Sequence, residues 1–168
     1  MPSFAGGSGV ISICKEGEAM RLSTKGRYGV RAMFELALHY KGGAVSLKKI
    51  AQQQDISEKY LEHLFASLKK AHLLVSVRGA QGGYRLARPP AEITVGDIVR
   101  VLEGTVSVTD CAADHPDGEV CSRLEHCVVH KVWIKVKDRI NEVLDGITLE
   151  DMCEEYRQSQ REGNMYYI

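Results

Sequence analysis

The feature that most constrains the fold is a pair of short helical segments separated by a tight turn. Ser46 is placed to cap a first helix, LKKIAQQQ, and Asp55-Ile56 forms the linker. Ser57 is placed to cap a second helix with an exposed polar face. Its apolar residues recur at spacings of three and four, namely Tyr60, Leu61, Leu64, Phe65, Leu68 and Leu73. This arrangement is typical of a helix-turn-helix.

A helix precedes this motif and a β-hairpin follows it. From Thr24 to about Tyr40, the apolar residues again recur at helical spacing, at Val30, Met33, Phe34, Ala37 and Leu38. After the motif, the segments LVSV (74–77) and YRL (84–86) predict two strands joined by a glycine-rich tip. A hairpin in this position is a wing. Residues 20–90 are therefore predicted to form a winged helix-turn-helix domain that binds DNA.

The second half of the chain predicts one long helix, from about Cys127 to Leu144. Its apolar residues form a seam over four turns, at Val129, Val132, Trp133, Val136, Ile140, Val143 and Leu144. A small lobe does not cover such a seam by itself, so we expect the same helix of a second copy to cover it in a homodimer. The alternative is a core helix within one protomer.

The predicted fold class is mainly α with a small β-hairpin wing, a winged helix-turn-helix plus a long dimerisation helix. Residues 1–19 are predicted to be a flexible extension, residues 91–160 a cysteine-bearing loop with the dimerisation helices, and residues 161–168 a tail. Thr94 with Asp97, and Thr148 with Asp151, have the spacing of capping boxes. The last helix is predicted to end near Gln160.

The charge of the chain is divided between its halves. The whole sequence has 22 Lys and Arg and 22 Asp and Glu. Residues 20–90 carry 13 basic and 4 acidic groups, whereas residues 91–168 carry 8 basic and 16 acidic groups. Either the two halves attract each other, or the basic half meets the phosphates of double-stranded DNA, which demand a cationic surface. No apolar run approaches the roughly 18 residues of a membrane span, so no membrane partner is expected.

Candidate DNA contacts lie on three elements. On the second helix of the motif, Lys59 can reach a phosphate or a guanine edge, and His63 can donate to a base. Glu62 either accepts a hydrogen bond from the exocyclic amine of cytosine or is a solvated charge. The other candidates lie at the first helix, on the second helix of the motif and on the wing, namely Lys25, Arg27, Arg31, Tyr60, Arg78 and Arg85.

The five cysteines, with no export signal at the start of the sequence, predict a cytoplasmic protein with unpaired thiols. Cys153 is predicted to lie in the core. Three others and a histidine follow the pattern Cys111-x9-Cys121-x5-Cys127-x2-His130. Thiolates with an imidazole suit an iron–sulfur cluster, or zinc, which fits this spacing less well. Other candidates for the nitrogen or oxygen ligand are His115, His126 and Asp114.

Four stretches resemble one family of winged-helix regulators, which includes the iron–sulfur cluster assembly regulator IscR and the nitric-oxide-sensing repressor NsrR. They are MRLSTKGRYGVRAM (20–33), ISEKYLEHLFASLKKAHLL (56–74), SVRGAQGGYRLAR (76–88) and the Cys127–His130 step. The resemblance covers roughly residues 20–155. It implies a homodimer with two DNA-binding heads, a long crossing dimerisation helix and a cluster in the loop before that helix. The implied DNA-reading positions are Lys59, Glu62, His63 and Arg78.

The resemblance also implies a ligand set. The three thiolates fall on Cys111, Cys121 and Cys127, and the histidine of the IscR branch falls on His130, which implies a 2Fe–2S cluster. Trp133, which follows this Cys-x2-His step, favours that branch. The NsrR-like branch uses another fourth ligand and a 4Fe–4S cluster. This chain has nine residues between its first two cysteines, where IscR has five.

The function implied is a transcriptional regulator that binds a palindromic operator and senses cluster status, with cluster-assembly proteins as cluster donors. One alternative is a 4Fe–4S regulator that responds to nitric oxide or iron. Another is a cluster-free regulator of cysteine metabolism with the same fold. An enzyme with Cys127 as nucleophile and His130 as base is disfavoured, because no oxyanion-hole loop is visible in the sequence.

Overall fold

The computed structural model describes residues 23–79, 82–113 and 124–165. Its helices and strands are α1 (Thr24–Leu38), α2 (Leu47–Gln54), α3 (Glu58–Lys70), β1 (Leu74–Val77), β2 (Gly83–Leu86), α4 (Val95–Glu103), α5 (Val128–Asp145) and α6 (Leu149–Met165). Short 3-10 turns lie at Tyr40–Gly42, Pro90–Glu92, Asp110–Ala112 and Leu124–His126. The predicted fold class, mainly helical with a small hairpin, is confirmed. The predicted extension, residues 1–19, lies outside the described residues.

The helix-turn-helix forms at the predicted caps. The Ser46 hydroxyl accepts a hydrogen bond from the Lys49 amide at 3.3 Å, and the Ser57 hydroxyl accepts one from the Tyr60 amide at 3.2 Å. Each bond satisfies an amide that has no partner within its own helix. Between the helices, Asp55 adopts a left-handed conformation with φ of 52°, which aspartate tolerates better than most residues. These local interactions fix where α3 begins.

The wing is anchored to the chain just before α2. β1 and β2 pair antiparallel, with Leu74 opposite Leu86. The backbone of Val45 exchanges two hydrogen bonds with that of Tyr84, at 2.9 and 2.8 Å. A Cβ on Gly83 would lie 2.2 Å from the Val45 carbonyl oxygen, so this close approach requires glycine. The wing is therefore held in place relative to the helix-turn-helix.

The core lies where α1, α3, the hairpin and α4 meet. The predicted apolar residues of α3 are buried, except for Tyr60, which is half-buried. On α1, the predicted Met33 and Ala37 are buried, and Val30, Phe34 and Leu38 are half-buried and pack against the core. Leu36, which lies outside the predicted set, is 1% exposed because α1 packs against α4 and α6 as well as α3. The largest buried side chains are Phe65, Met33, Leu36, Ile50, Leu61, Leu64, Leu68, Leu74, Leu86, Ile93, Ile98 and Leu149.

The two predicted capping boxes lie side by side at the starts of α4 and α6. The Asp97 amide donates to the Thr94 hydroxyl at 3.0 Å, and the Asp151 amide donates to the Thr148 hydroxyl at 3.1 Å. Hydrogen bonds from the Thr148 hydroxyl and amide hold the pKa of the Asp151 carboxyl below its usual value. Two backbone hydrogen bonds join the two helix starts: the Val95 amide donates to the Ile147 carbonyl oxygen, and the Leu149 amide donates to the Ile93 carbonyl oxygen, each at 2.9 Å.

α6 extends beyond its predicted end near Gln160, into the segment predicted to be a tail. The sequence there contains good helix formers, and the Gln158 amide group donates to Glu162 at 3.3 Å. Cys153 is fully buried in the core, as predicted, and burial raises the pKa of its thiol. No helix within the described ranges is both long and apolar enough to span a bilayer.

Candidate nucleic-acid interface and cysteine site

The helix α3 presents the predicted base-reading side chains to solvent. Lys59, Glu62 and His63 are all exposed and lie on the face opposite the buried Leu61 and Leu64. This is the geometry of a recognition helix, whose first turns enter the major groove.

Tyr60 turns away from that exposed face. It is half-buried, and its ring meets the ring of Tyr28 edge-on, with centroids 6.0 Å apart. The contact joins α3 to α1 and steadies the relative position of these two helices. A direct DNA contact from Tyr60 stays a prediction.

The start of α1 exposes two basic side chains, Lys25 and Arg27. The Lys25 amide donates to the Ser23 hydroxyl at 3.0 Å, which caps the helix. Arg31, expected as a third phosphate contact, is also exposed, and its contact with DNA stays a prediction. Its guanidinium donates to the Gln54 carbonyl oxygen at 2.6 Å and to Gln54 Oε1 at 3.1 Å, so it ties α1 to the end of α2.

The wing exposes the last two predicted contacts, Arg78 and Arg85. Arg85 lies on β2 opposite Val75, and Arg78 follows the end of β1. The Lys69 ammonium donates to the Ser76 hydroxyl at 2.8 Å, which links the end of α3 to the wing. Recognition helix and wing are therefore braced together.

The charge asymmetry of the sequence has a structural counterpart. Within the part of the chain that the structure describes, no carboxylate pairs with Lys25, Arg27, Lys59, Arg78 or Arg85. In the second half, by contrast, Arg100 pairs with Asp145 at 2.5 and 3.2 Å, and the pKa of Arg100 is raised by this partner. Positive potential is therefore concentrated on the winged helix-turn-helix.

Sequence reasoning missed a polar network around the buried Glu35, between α1 and the end of α2. Glu35 is 4% exposed, and its carboxylate accepts a hydrogen bond from the Gln54 side-chain amide at 2.9 Å. His39 Nδ1 lies 3.3 Å from the other carboxylate oxygen. The sequence signal for this network was the spacing of four residues that separates Glu35 from both Arg31 and His39.

Two members of the predicted ligand set share the first turn of α5. Cys127 caps this helix, and its sulfur accepts a hydrogen bond from the His130 amide at 3.4 Å. His130 is half-buried, and its Nδ1 is buried without a hydrogen-bond partner among the described residues. Buried polar atoms are nearly always satisfied, so this nitrogen fits an atom reserved for a ligand.

The third described candidate, Cys111, reaches this helix from the preceding loop. It lies in the 3-10 turn Asp110–Ala112, which packs against α5, and its sulfur is 3.3 Å from the Thr109 hydroxyl. Cys111, Cys127 and Cys153 are free thiols. His126 is exposed.

The other predicted ligands, Cys121, His115 and Asp114, lie outside the described residues. Over 23–79, 82–113 and 124–165, no three Cys, His, Asp or Glu side chains come together as a metal site.

The apolar seam of α5 lies open on the protomer. No residue of this helix is buried, and the exposed fractions of Val129, Val132 and Val143 are 56%, 50% and 60%. An open groove of about 580 Å³ runs along the seam, lined by Val132, Lys135, Val136, Arg139, Ile140, Val143 and Leu144. Within the described residues, no core of the protomer covers this face of α5.

A helix-turn-helix braced to a wing, with unpaired basic side chains on both, defines the class of winged-helix DNA-binding regulators. The family model described as Rrf2, iron-dependent transcriptional regulator, matches residues 22–155. The chain belongs to this Rrf2 family of transcriptional regulators.

Individual relatives agree with the family. The HTH-type transcriptional regulator CymR of Bacillus subtilis is 44% identical over 149 residues, 89% of this chain and 100% of that protein. The structure of T. potens IscR is similar with a TM-score of 0.70 and 51% identity, over 88% of this chain and 96% of that one. The structure of CymR (YrzC), the global cysteine regulator of B. subtilis, has a TM-score of 0.65 and 45% identity, over 80% and 97%. The relatives are transcriptional regulators, as predicted here, and not enzymes.

Proposed function

We propose that this Rrf2 regulator is a homodimer that acts in the cytoplasm and binds a palindromic operator according to whether it holds a 2Fe–2S cluster. The observation that carries the proposal is the first turn of α5, where a free thiol caps the helix and a buried imidazole nitrogen has no hydrogen-bond partner among the described residues. The proposed ligands are Cys111, Cys121, Cys127 and His130.

The residues present suit a cluster better than zinc. Thiolates with one histidine are a soft ligand set, and the spacing lacks the close cysteine pair typical of a zinc ribbon. When bound, the cluster would supply a link between loop and helix that depends on iron and sulfide supply. Cys111 would hold it from the loop, and Cys127 and His130 would hold it from α5. Cluster-assembly proteins are the proposed donors.

The homodimer is supported by the exposed seam of α5. A helix of 18 residues that buries none of them exposes apolar side chains along its length. An identical helix related by a two-fold axis provides the same apolar surface in return. Two recognition helices held by such a dimer would read the two halves of a palindrome.

DNA recognition is proposed for the exposed residues described above. Lys59, His63 and Glu62 would meet base edges and phosphates from α3. Lys25 and Arg27 would meet phosphates from the start of α1, while Arg78 and Arg85 would do so from the wing. Tyr60, in contact with Tyr28, would support α3.

A second candidate function is a cluster-free regulator of cysteine metabolism. The similarity to CymR, the global cysteine regulator of B. subtilis, favours this second candidate, because the match to this chain extends over the whole length of that protein. A third is a 4Fe–4S regulator that responds to nitric oxide or iron. In that case another residue would replace His130 as the fourth ligand.

Absorption and Mössbauer spectra of protein isolated without oxygen separate these candidates. We expect visible absorption and the Mössbauer signature of a 2Fe–2S cluster. A variant with Cys111, Cys121 and Cys127 all changed to Ala is expected to be colourless, whereas Cys153→Ala is the matched control and keeps the spectrum. Colourless parent protein from iron-replete cells would favour the cluster-free candidate. A 4Fe–4S signature that survives His130→Ala would favour the third.

A further inference from the structure

The start of α1 is capped by a side chain from a distant helix. Glu103, the last residue of α4, accepts hydrogen bonds from the Ser23 hydroxyl at 2.5 Å and from the Gly26 amide at 2.7 Å. Glu103 and Gly26 are 77 residues apart in the sequence. The first amides of a helix have no partner within it, and a carboxylate there also complements the helix dipole. Glu103 therefore fixes the first turn of α1.

The two helices approach closely enough for this because α1 has glycine on the contact face. Gly26 and Gly29 are both buried. A Cβ on Gly29 would lie 2.0 Å from Leu102 Cδ1, the side chain next to Glu103. The small face of α1 thus lets the end of α4 lie against it, which brings the Glu103 carboxylate within reach of the Gly26 amide.

The turn that Glu103 holds carries two of the proposed phosphate contacts. Lys25 and Arg27 flank Gly26 and are exposed. An acidic side chain close to DNA weakens binding by charge alone, since it repels phosphate. A role of Glu103 in ordering the first turn of α1 would explain why an acidic residue lies there.

We propose that Glu103 is a positioning residue for DNA binding, which holds the first turn of α1 so that Lys25 and Arg27 meet the phosphates. The inference rests on the proposed function, because it assumes that these two side chains contact DNA. Glu103 would hold the turn from the side opposite these two basic side chains and would itself touch no DNA.

The test compares Glu103→Ala with Glu103→Gln and with Glu154→Ala, an exposed acidic residue on α6 that serves as a matched charge control. The probe is a duplex enriched from a random-sequence library by binding to the parent protein. We expect Glu103→Ala to weaken binding by up to about 5-fold, because ordering the turn on DNA would then cost about what one helix cap contributes to stability. This loss is expected although the change makes the protein more positive. Glu103→Gln should recover part of the affinity, because its amide oxygen still accepts hydrogen bonds. Glu154→Ala should bind at least as tightly as the parent.

A double-mutant comparison separates positioning from general destabilisation. Lys25→Ala in the parent background should lower the affinity for DNA. It should also reduce the slope of log binding constant against log salt concentration by about 0.9. In the Glu103→Ala background, Lys25→Ala should lower the DNA affinity much less, because Lys25 is then no longer held in position. An equal cost in both backgrounds overturns the inference. If Glu103→Ala does not fold, the Glu103→Gln background carries the same comparison.

The outcomes distinguish the inference from the proposed function. If Lys25→Ala, Arg27→Ala and the double variant all bind as the parent does, the α1 contact is refuted and the inference fails with it. DNA recognition by α3 is then judged independently from Lys59→Ala. If Lys25→Ala weakens binding but Glu103→Ala strengthens it, Glu103 acts only as a repelling charge, and the inference alone fails.

Discussion

Changing a valine on the α5 seam to alanine should weaken the proposed homodimer. The expected loss of association free energy can be calculated from the exposed fraction of that valine in the protomer. Changing Val132 to Ala removes two carbons, worth about 1.6 kcal/mol when fully buried. Val132 is 50% exposed in the protomer, so about half of this, roughly 0.8 kcal/mol, would be gained on association. Both copies contribute, and the total of about 1.6 kcal/mol corresponds to about a 15-fold weaker dimer.

A second variant on the same seam should weaken the dimer more than the first. Val143 is 60% exposed, so Val143→Ala should lose about 1.9 kcal/mol over two copies and weaken the dimer about 25-fold. Sedimentation equilibrium over a range of protein concentrations measures both dissociation constants. The matched control is Val77→Ala, the same chemical change at a half-exposed valine on the wing, away from α5. It should leave the dissociation constant unchanged.

The reasoning is refuted if the α5 variants dissociate no more readily than the Val77 variant. An equal effect of all three variants would point to general destabilisation. A protomer that stays monomeric at all concentrations would contradict the homodimer directly. A monomer would also remove the structural basis for a palindromic operator.

Three further predictions concern the wing, the core thiol and base reading. Gly83→Ala should lower the free energy of unfolding by about 1–3 kcal/mol, because the new Cβ meets the Val45 backbone at 2.2 Å; chemical denaturation measures this. Cys153 should resist alkylation at neutral pH until the protein unfolds, because burial raises its pKa; mass spectrometry detects the modified residue. Glu62→Ala should relax base preference at one position per half-site, by about 1–3 kcal/mol of discrimination; selection from a randomised operator library measures it.

Each of these has a control and a contrary result. Gly42→Ala is the control for Gly83, since nothing lies within 4 Å of its added Cβ, and equal stability of the two variants would count against the anchored wing. In protein stripped of metal by a chelator, the half-buried free thiols of Cys111 and Cys127 should react before Cys153, so the reverse order would contradict the assigned burial. For Glu62, the exposed Glu154 is the control, and an unchanged base preference would leave it a solvated charge.

Sequence reasoning was most successful where structure depends on near neighbours. The caps at Ser46, Ser57 and Thr94 form as predicted, because a hydroxyl and an amide three residues away decide them. The hairpin and the long helix that follows Cys127 are likewise confirmed. The Cys127–His130 step was predictable for the same reason, since one helical turn places both residues together.

The contacts that sequence reasoning missed depend on distant partners. Glu103 caps α1 only because the fold brings the end of α4 against Gly26, and no local pattern indicates this. The burial of Leu36 similarly follows from the packing of α1 against three other helices. The hydrogen bonds from Arg31 to Gln54 could not be predicted either, because the fold brings together two residues that are 23 positions apart.

The proposed function requires that a cluster held at the start of α5 changes how the winged heads bind DNA. The most direct test measures operator affinity by fluorescence anisotropy, without oxygen, for cluster-loaded protein and for the same preparation after chelation. Two sets of duplexes are used, one selected with the cluster-loaded form and one with the chelated form, so that the sequence preference of each form is represented. We expect the two forms to differ about 5–150-fold on at least one duplex, the range of typical coupling between sites. Equal affinities of the two forms for every selected duplex would contradict the claim.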